Sequence, residues 1–312
     1  MKTAFFVILG LLALYFLLCL GLLFAFLRRR RDDPSSTLRM LEGTPMAGYL
    51  PAIRQAREWY PAQRHEDIFI NSFDGLRLHA TLIRQEHPRG TAILCHGYHS
   101  SGAADFSCAM RPLFARGFQL LVIDQRAHLK SGGKWLTMGV KERRDVQSWA
   151  DWVARQFGPE HPIVLEGMSM GAATVLMTAD LPLPASVRCI VADCGYTSPR
   201  EIFTSVMRGF LPHPRLLLWG ADLCCRLAAG FSIDGADARK ALAKTALPVL
   251  LIHGEADTFV PCSMSRENYD AAAGEKTLVT VPDATHGMSY LVDESKVTAA
   301  LDVFLDRHVP KK

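Results

Sequence analysis

Short apolar runs near residues 92–95, 120–123, 163–165, 189–192, 249–252 and 278–281 alternate with segments of helical period near 103–116, 140–157, 171–179, 263–273 and 295–308. This alternation constrains the fold more than any other feature. Runs this short and apolar at successive positions are strands buried on both faces, and helix-length connections between them are crossovers that cover those faces. The expected class is therefore α/β, with a mostly parallel, doubly wound sheet. Ahead of it, Ile68 and Ile70, then Asp74-Gly75, then Leu76, Leu78, Ala80 and Leu82 alternate with polar residues, which predicts a β-hairpin with a type I′ turn. With 312 residues at 49% hydrophobic composition, one such domain uses most of the chain.

One interval breaks the rhythm. Residues 196–246 contain no strand pattern but carry Phe210, Leu211, Leu216, Leu217, Leu218 and Trp219 on helical runs. A connection this long points to a helical cap over the C-terminal edge of the sheet, where open α/β folds bind ligands. An elaborate crossover without a covering role is the alternative. The expected organisation is residues 1–31 as an apolar helix with a basic flank, 32–66 as a linker with a short helix near 47–60, and 67–312 as the α/β domain that holds the cap.

Residues 4–27 are apolar and uncharged, and as a helix they rise about 36 Å, enough to cross a bilayer core. The run ends in Arg28, Arg29, Arg30 and Arg31 without a small-residue cleavage site, which predicts a retained single-pass anchor. Four arginines outweigh Lys2 across the span, so the domain is expected in the cytoplasm. Eight cysteines with no C-x-x-C pair and no framework spacing fit buried reduced thiols. Of the +4 net charge, all but +1 lies in residues 1–33. The basic excess is thus a juxtamembrane feature, and nothing in it argues for nucleic acid. Oligomeric state leaves no signal.

Gly167-Met168-Ser169-Met170-Gly171 follows a strand-like run and precedes the helix-forming 172–176, which is G-x-S-x-G in strand-turn-helix context. A sharp turn exposes the hydroxyl there, and small residues two before and two after it let the backbone pass close by. A serine hydroxyl needs a base in reach and a carboxylate to fix that base's tautomer. His286 follows the last strand and Asp257 follows the strand near 249–252, in the order Ser, Asp, His. Asp193, Glu255 and Asp283 remain rival acids. His96 and His253 close apolar strands and read as structural. The backbone N–H groups of Met170 and of Tyr98, in His96-Gly97-Tyr98-His99, are the expected oxyanion donors. Cys95 completes a strand and reads as buried, and Asp124, Arg126 and His128 read as a network tying loops together.

With those residues in view, the chain from about residue 67 onward resembles the α/β-hydrolase superfamily, specifically bacterial hydrolases similar to serine aminopeptidases and prolyl-oligopeptidase-like enzymes. The resemblance is carried by Asp74-Gly75-Leu76-Arg77-Leu78, His96-Gly97-Tyr98, Asp124-Gln125-Arg126-Ala127-His128, Gly167-Met168-Ser169-Met170-Gly171, Ile252-His253-Gly254-Glu255-Ala256-Asp257 and Ala284-Thr285-His286. Ala127 and Leu129 stand where relatives often have glycine. The resemblance implies cleavage of an ester, thioester, amide or peptide bond without cofactor or metal. An apolar cap beside a membrane anchor favours a lipophilic or short acyl ester, with a peptidase or thioesterase as the alternative. An inactive hydrolase-shaped binding scaffold is the non-enzymatic rival.

Overall fold

The computed structural model describes residues 2–31, 33 and 36–311; Asp32, Pro34 and Ser35 of the expected linker lie outside the described residues, as do Met1 and Lys312. Helix α1 (Lys2–Leu27) comes first, followed by α2 (Ser36–Leu41) and α3 (Leu50–Arg57). Strands β1 (Glu66–Asn71) and β2 (Arg77–Ile83) then form the expected antiparallel hairpin. Its turn differs from expectation. Only Gly75 has a left-handed backbone (φ 82°), so the connection is not type I′ but a longer loop, closed by the Ser72 N–H donating to the Leu76 carbonyl at 2.8 Å. The longer loop lets the Asp74 carboxylate accept from the Ser72 hydroxyl at 2.7 Å and from the Arg126 guanidinium at 2.9 and 3.1 Å.

From there the chain alternates: β3 (Gly90–Cys95), α4 (Gly102–Asp105), α5 (Ser107–Ala115), β4 (Phe118–Asp124), α6 (Glu142–Phe157), β5 (Ile163–Met168), α7 (Met170–Thr178) and β6 (Val187–Asp193). Three helices follow without a strand, α8 (Pro199–Arg208), α9 (Arg215–Cys224) and α10 (Ala238–Leu242). The chain closes with β7 (Val249–Gly254), α11 (Cys262–Ala271), β8 (Lys276–Val281), α12 (Ser289–Val292) and α13 (Glu294–His308). The eight strands lie in the order β1-β2-β4-β3-β5-β6-β7-β8. Only the pairings of β2, with β1 and with β4, are antiparallel. This is the α/β-hydrolase fold.

Period-two alternation sorts the strand side chains between two cores. Ile93, Leu121, Leu165, Ile190 and Leu251 face α6 and α7, with Trp149 and Val175 buried among them. Leu94, Val122, Val164, Val191 and Leu250 face the other way, against Phe106, Leu113 and Phe304. Because β3, β5, β6, β7 and β8 run parallel, the loops after their C-terminal ends gather at one edge.

Helix α1 is not a separate tether. Cys19, Leu23 and Leu27, at helical i, i+4 spacing, are fully buried in the first core, while Phe5, Phe6, Leu9, Leu14 and Leu18 stay exposed. The Tyr15 hydroxyl donates to the Leu216 carbonyl on α9, and Arg28 forms an antiparallel bridge with Trp135. The helix is long and apolar enough to cross a membrane.

Candidate active site

The bend between β5 and α7 carries Ser169 with φ 56° and ψ −116°. This region of backbone space costs an L-residue about 1–3 kcal/mol and persists only where the surroundings enforce it. Here they do so through contact on both sides. A Cβ on Gly167 would lie 2.3 Å from the Gly171 carbonyl oxygen, and one on Gly171 would lie 1.8 Å from that of Cys95. The Ser169 N–H donates to the Asp193 carbonyl at 2.9 Å, which ties the bend to the end of β6.

Loops at the same sheet edge bring the expected partners to this hydroxyl. His286 places Nε2 2.9 Å from Ser169 Oγ and Nδ1 2.6 Å from Asp257 Oδ2. Asp257 Oδ1 accepts from the backbone N–H groups of Phe259 and Val260, each at 2.9 Å. Burial opposes ionisation of this enclosed carboxyl, but hydrogen bonds from His253 and His286 outweigh it and hold Asp257 far below the usual carboxylate range. The rival acids are placed otherwise. Glu255 and Asp283 are exposed. Asp193 is half-buried, with its Oδ1 enclosed and lacking a partner, and desolvation pushes its carboxyl up to about 6. Glu166, on β5 behind the bend, is pushed up to about 8 by burial and then by Asp193.

His253, which its sequence position assigns to the core, has a supporting part. It is fully buried, with Nδ1 2.6 Å from the Ser265 hydroxyl and Nε2 2.9 Å from the Val260 carbonyl and 3.3 Å from Asp257 Oδ2. It therefore fixes the Asp257 loop from behind. The Phe259 ring stacks edge-on against His286 at 5.1 Å. Neither contact has a motif in the sequence, since both depend on how the loop after β7 folds back.

Met170 opens α7, where first-turn N–H groups have no acceptor inside the helix. Tyr98 lies across the same cavity, and its hydroxyl donates to the Phe26 carbonyl of α1. The cavity holds about 190 Å³ and reaches Ser169. Its walls come from Leu22, Leu23, Phe26 and Leu27 of α1, from Phe203, Val206 and Met207 of α8, and from Leu218, Ala221 and Cys225 at α9. No Asp, Glu, Lys or Arg is among the described residues that line it. By contrast α10 packs on α7 and α11, so the segment that covers the cavity ends before it.

Cys194, Asp257 and His286 present ligand atoms within 4.8 Å of one another. Burial raises the Cys194 thiol well above its ordinary range, and the other two are bonded to each other, with His286 bonded in turn to Ser169, so the donor set is poorly suited to a metal. Cys95 is likewise a buried thiol, raised by burial. The Arg126 guanidinium bridges Asp145 on α6, at 2.6 Å, and Asp74 in the hairpin loop, which makes that block a structural tie. Ala127 and Leu129 both adopt left-handed backbone (φ 61° and 43°), the conformation that glycine takes without strain.

A family model described as X-Pro dipeptidyl-peptidase (S15 family) matches residues 74–230. Curated relatives include Bacillus subtilis YqkD, 27% identical over 69% of this chain and 71% of that protein. Mycobacterium tuberculosis Rv2307c is 28% identical over 86% and 88%. Both relatives are described as uncharacterized. Among solved structures, the Pyrococcus furiosus esterase Pf2001 superposes with a TM-score of 0.62 at 25% identity, covering 80% of this chain and 92% of that one. Mouse alpha/beta hydrolase domain-containing protein 10 gives 0.59 at 21% identity over 78% and 99%, a likeness of fold.

Proposed function

We propose, from the premise that this chain belongs to the X-Pro dipeptidyl-peptidase (S15) family, that it is a serine hydrolase cleaving lipophilic carboxylic esters through an acyl-enzyme on Ser169. Ser169 Oγ attacks the ester carbonyl while His286 Nε2 takes its proton. The tetrahedral oxyanion forms against the N–H groups of Met170 and Tyr98. His286 then delivers the proton to the leaving alkoxide, and a water activated by the same imidazole releases the acid. Asp257 keeps the Nδ1 proton in place and stabilises the imidazolium.

The observation that carries the ester reading is the uncharged, predominantly apolar wall beside the nucleophile. A cavity of about 150 Å³ lined by aliphatic side chains accepts benzene, so one of about 190 Å³ has room for an acyl chain of at least comparable size. The peptidase reading is favoured by the family's name-giving activity. An aminopeptidase-type site needs a carboxylate to hold the peptide ammonium, and the cavity lining supplies none. In this reading α1 is a retained anchor with the arginine flank and the domain on the cytoplasmic side. Its last turns form the cavity wall, and signal cleavage beyond Leu27 would remove that wall.

Turnover of p-nitrophenyl esters from acetate to palmitate, set beside Gly-Pro-p-nitroanilide, decides between the two. The ester reading expects a maximum at intermediate chain length and no anilide cleavage. Cleavage of the anilide with all esters inert would overturn it in favour of the peptidase.

A further inference from the structure

The cap presents two faces of different character. Its inner face lines the cavity. On its outer side, Phe210 is 90% exposed, Leu227 79%, Leu216 68% and Trp219 59%. No Asp or Glu lies between Glu201 and Asp222, whereas Arg208 and Arg215 in that stretch are both exposed. Large apolar side chains interleaved with arginines form the pattern of a surface that sits at the boundary between headgroups and acyl chains.

The position of α9 on α1 says which apolar medium covers this face. Gly220 packs so closely on α1 that a Cβ there would lie 2.3 Å from the Tyr15 hydroxyl oxygen and 2.6 Å from Cys19 Sγ. Tyr15 lies twelve residues before Leu27, about 18 Å along the helix. Residues 2–14, the part of α1 clear of the domain, rise only about 20 Å, short of the roughly 30 Å of a bilayer core. If α1 crosses the membrane, roughly the next seven residues, Tyr15 to Gly21, must also lie in hydrocarbon, and the part of α9 packed on them goes with them. If only the free half enters, α9 still meets the membrane where α1 does.

We propose that the outer face of the cap from α8 through α9 to Ala229, with Phe210, Leu216, Trp219 and Leu227, is immersed in the lipid leaflet, and that a lipid ester passes to Ser169 sideways between α1 and the cap. The immersion stands on the α1–α9 packing, and the passage rests on the ester-hydrolase reading above. Leu22, Leu23 and Phe26 bound the cavity on one side and Phe203, Val206 and Met207 on the other, so a chain leaving the leaflet between the two helical walls meets apolar surface up to the nucleophile. The exposed arginines are positioned to meet anionic headgroups.

The test uses the full chain in vesicles of phosphatidylcholine and phosphatidylglycerol whose acyl chains carry bromine, a short-range quencher of tryptophan. Immersion predicts that Trp219→Phe loses a quenched component of the emission, and that Leu216→Trp in that background restores it. Equal quenching in wild type and Trp219→Phe, without gain from Leu216→Trp, places the face in water and overturns the proposal. A second arm replaces Phe210 and Leu227 by Asp. It should lower turnover of a vesicle-borne long-chain ester by about tenfold or more while leaving a soluble short ester unchanged. Equal effects on both substrates refute lateral passage. Loss of fluorophosphonate labelling in wild type would sink the hydrolase reading alone, because quenching does not depend on it.

Discussion

Replacing Asp257 by Asn tests the geometry of the site most sharply, because the two side chains have the same shape. The native carboxylate is fully enclosed. In the variant, the amide oxygen keeps the two bonds from the Phe259 and Val260 N–H groups, since those donors fix which end faces them. The amide NH₂ then occupies the Oδ2 position, 2.6 Å from His286 Nδ1. Two donors cannot face each other, so the imidazole moves its proton to Nε2 and accepts at Nδ1. That Nε2–H now points at Ser169 Oγ, 2.9 Å away, and cannot take the serine's proton. Loss of the correct tautomer costs about 10⁴-fold in kcat in serine hydrolases, or about 5 kcal/mol at 1.36 kcal/mol per tenfold. Steady-state hydrolysis of p-nitrophenyl butyrate is the assay, with KM expected to hold while the thermal midpoint falls, since the enclosed carboxylate loses its bonds from His253 and His286. The parallel Asp193→Asn variant should retain kcat within about tenfold, since Asp193 makes no bond to His286. A variant at position 257 that stays within tenfold of wild type, or a collapse at position 193 instead, would refute this assignment.

Other perturbations read different parts of the structure. Gly171→Ala forces a Cβ against the Cys95 carbonyl and should destabilise by about 3 kcal/mol or more, measured by urea unfolding. Glu166 titrates near 8 in the fold against an ordinary 4.5, so its contribution to stability is fully present below about pH 4.5 and is lost as pH rises through about 8. Glu166→Gln should therefore flatten the decline of the thermal midpoint between about pH 5 and about pH 9, and an unchanged slope would contradict the shift. Val206→Trp fills the cavity from α8 and should move the preferred ester to shorter chains, with acetate hydrolysis nearly unaffected.

Much of this arrangement is legible in the sequence because its determinants are local. Strand runs announce themselves by unbroken apolar character, and the bend at Ser169 by glycines at positions where a Cβ would have nowhere to go. The positions of Asp257 and His286 follow from chain order, although only the folded loops separate Asp257 from Asp193, Glu255 and Asp283. Three features were hidden for physical reasons. The hairpin loop at Asp74 is shaped by Arg126, far along the chain, so turn propensity alone points to the wrong turn. The role of α1 as a cavity wall was masked by its composition: Cys19, Leu23 and Leu27 form a buried stripe, but a helix apolar on every side carries no amphipathic signal to reveal it. His253 behind Asp257 was hidden likewise, since a histidine closing a strand looks the same whether or not a carboxylate folds back onto it.

The most direct measurement is covalent labelling of the full-length protein by a fluorophosphonate, read by mass spectrometry of the peptide that contains residue 169. The account predicts one adduct on Ser169 in wild type, no adduct in Ser169→Ala, and labelling slowed by orders of magnitude in His286→Ala. A wild-type protein that stays unlabelled, or an adduct that persists in Ser169→Ala, would contradict it.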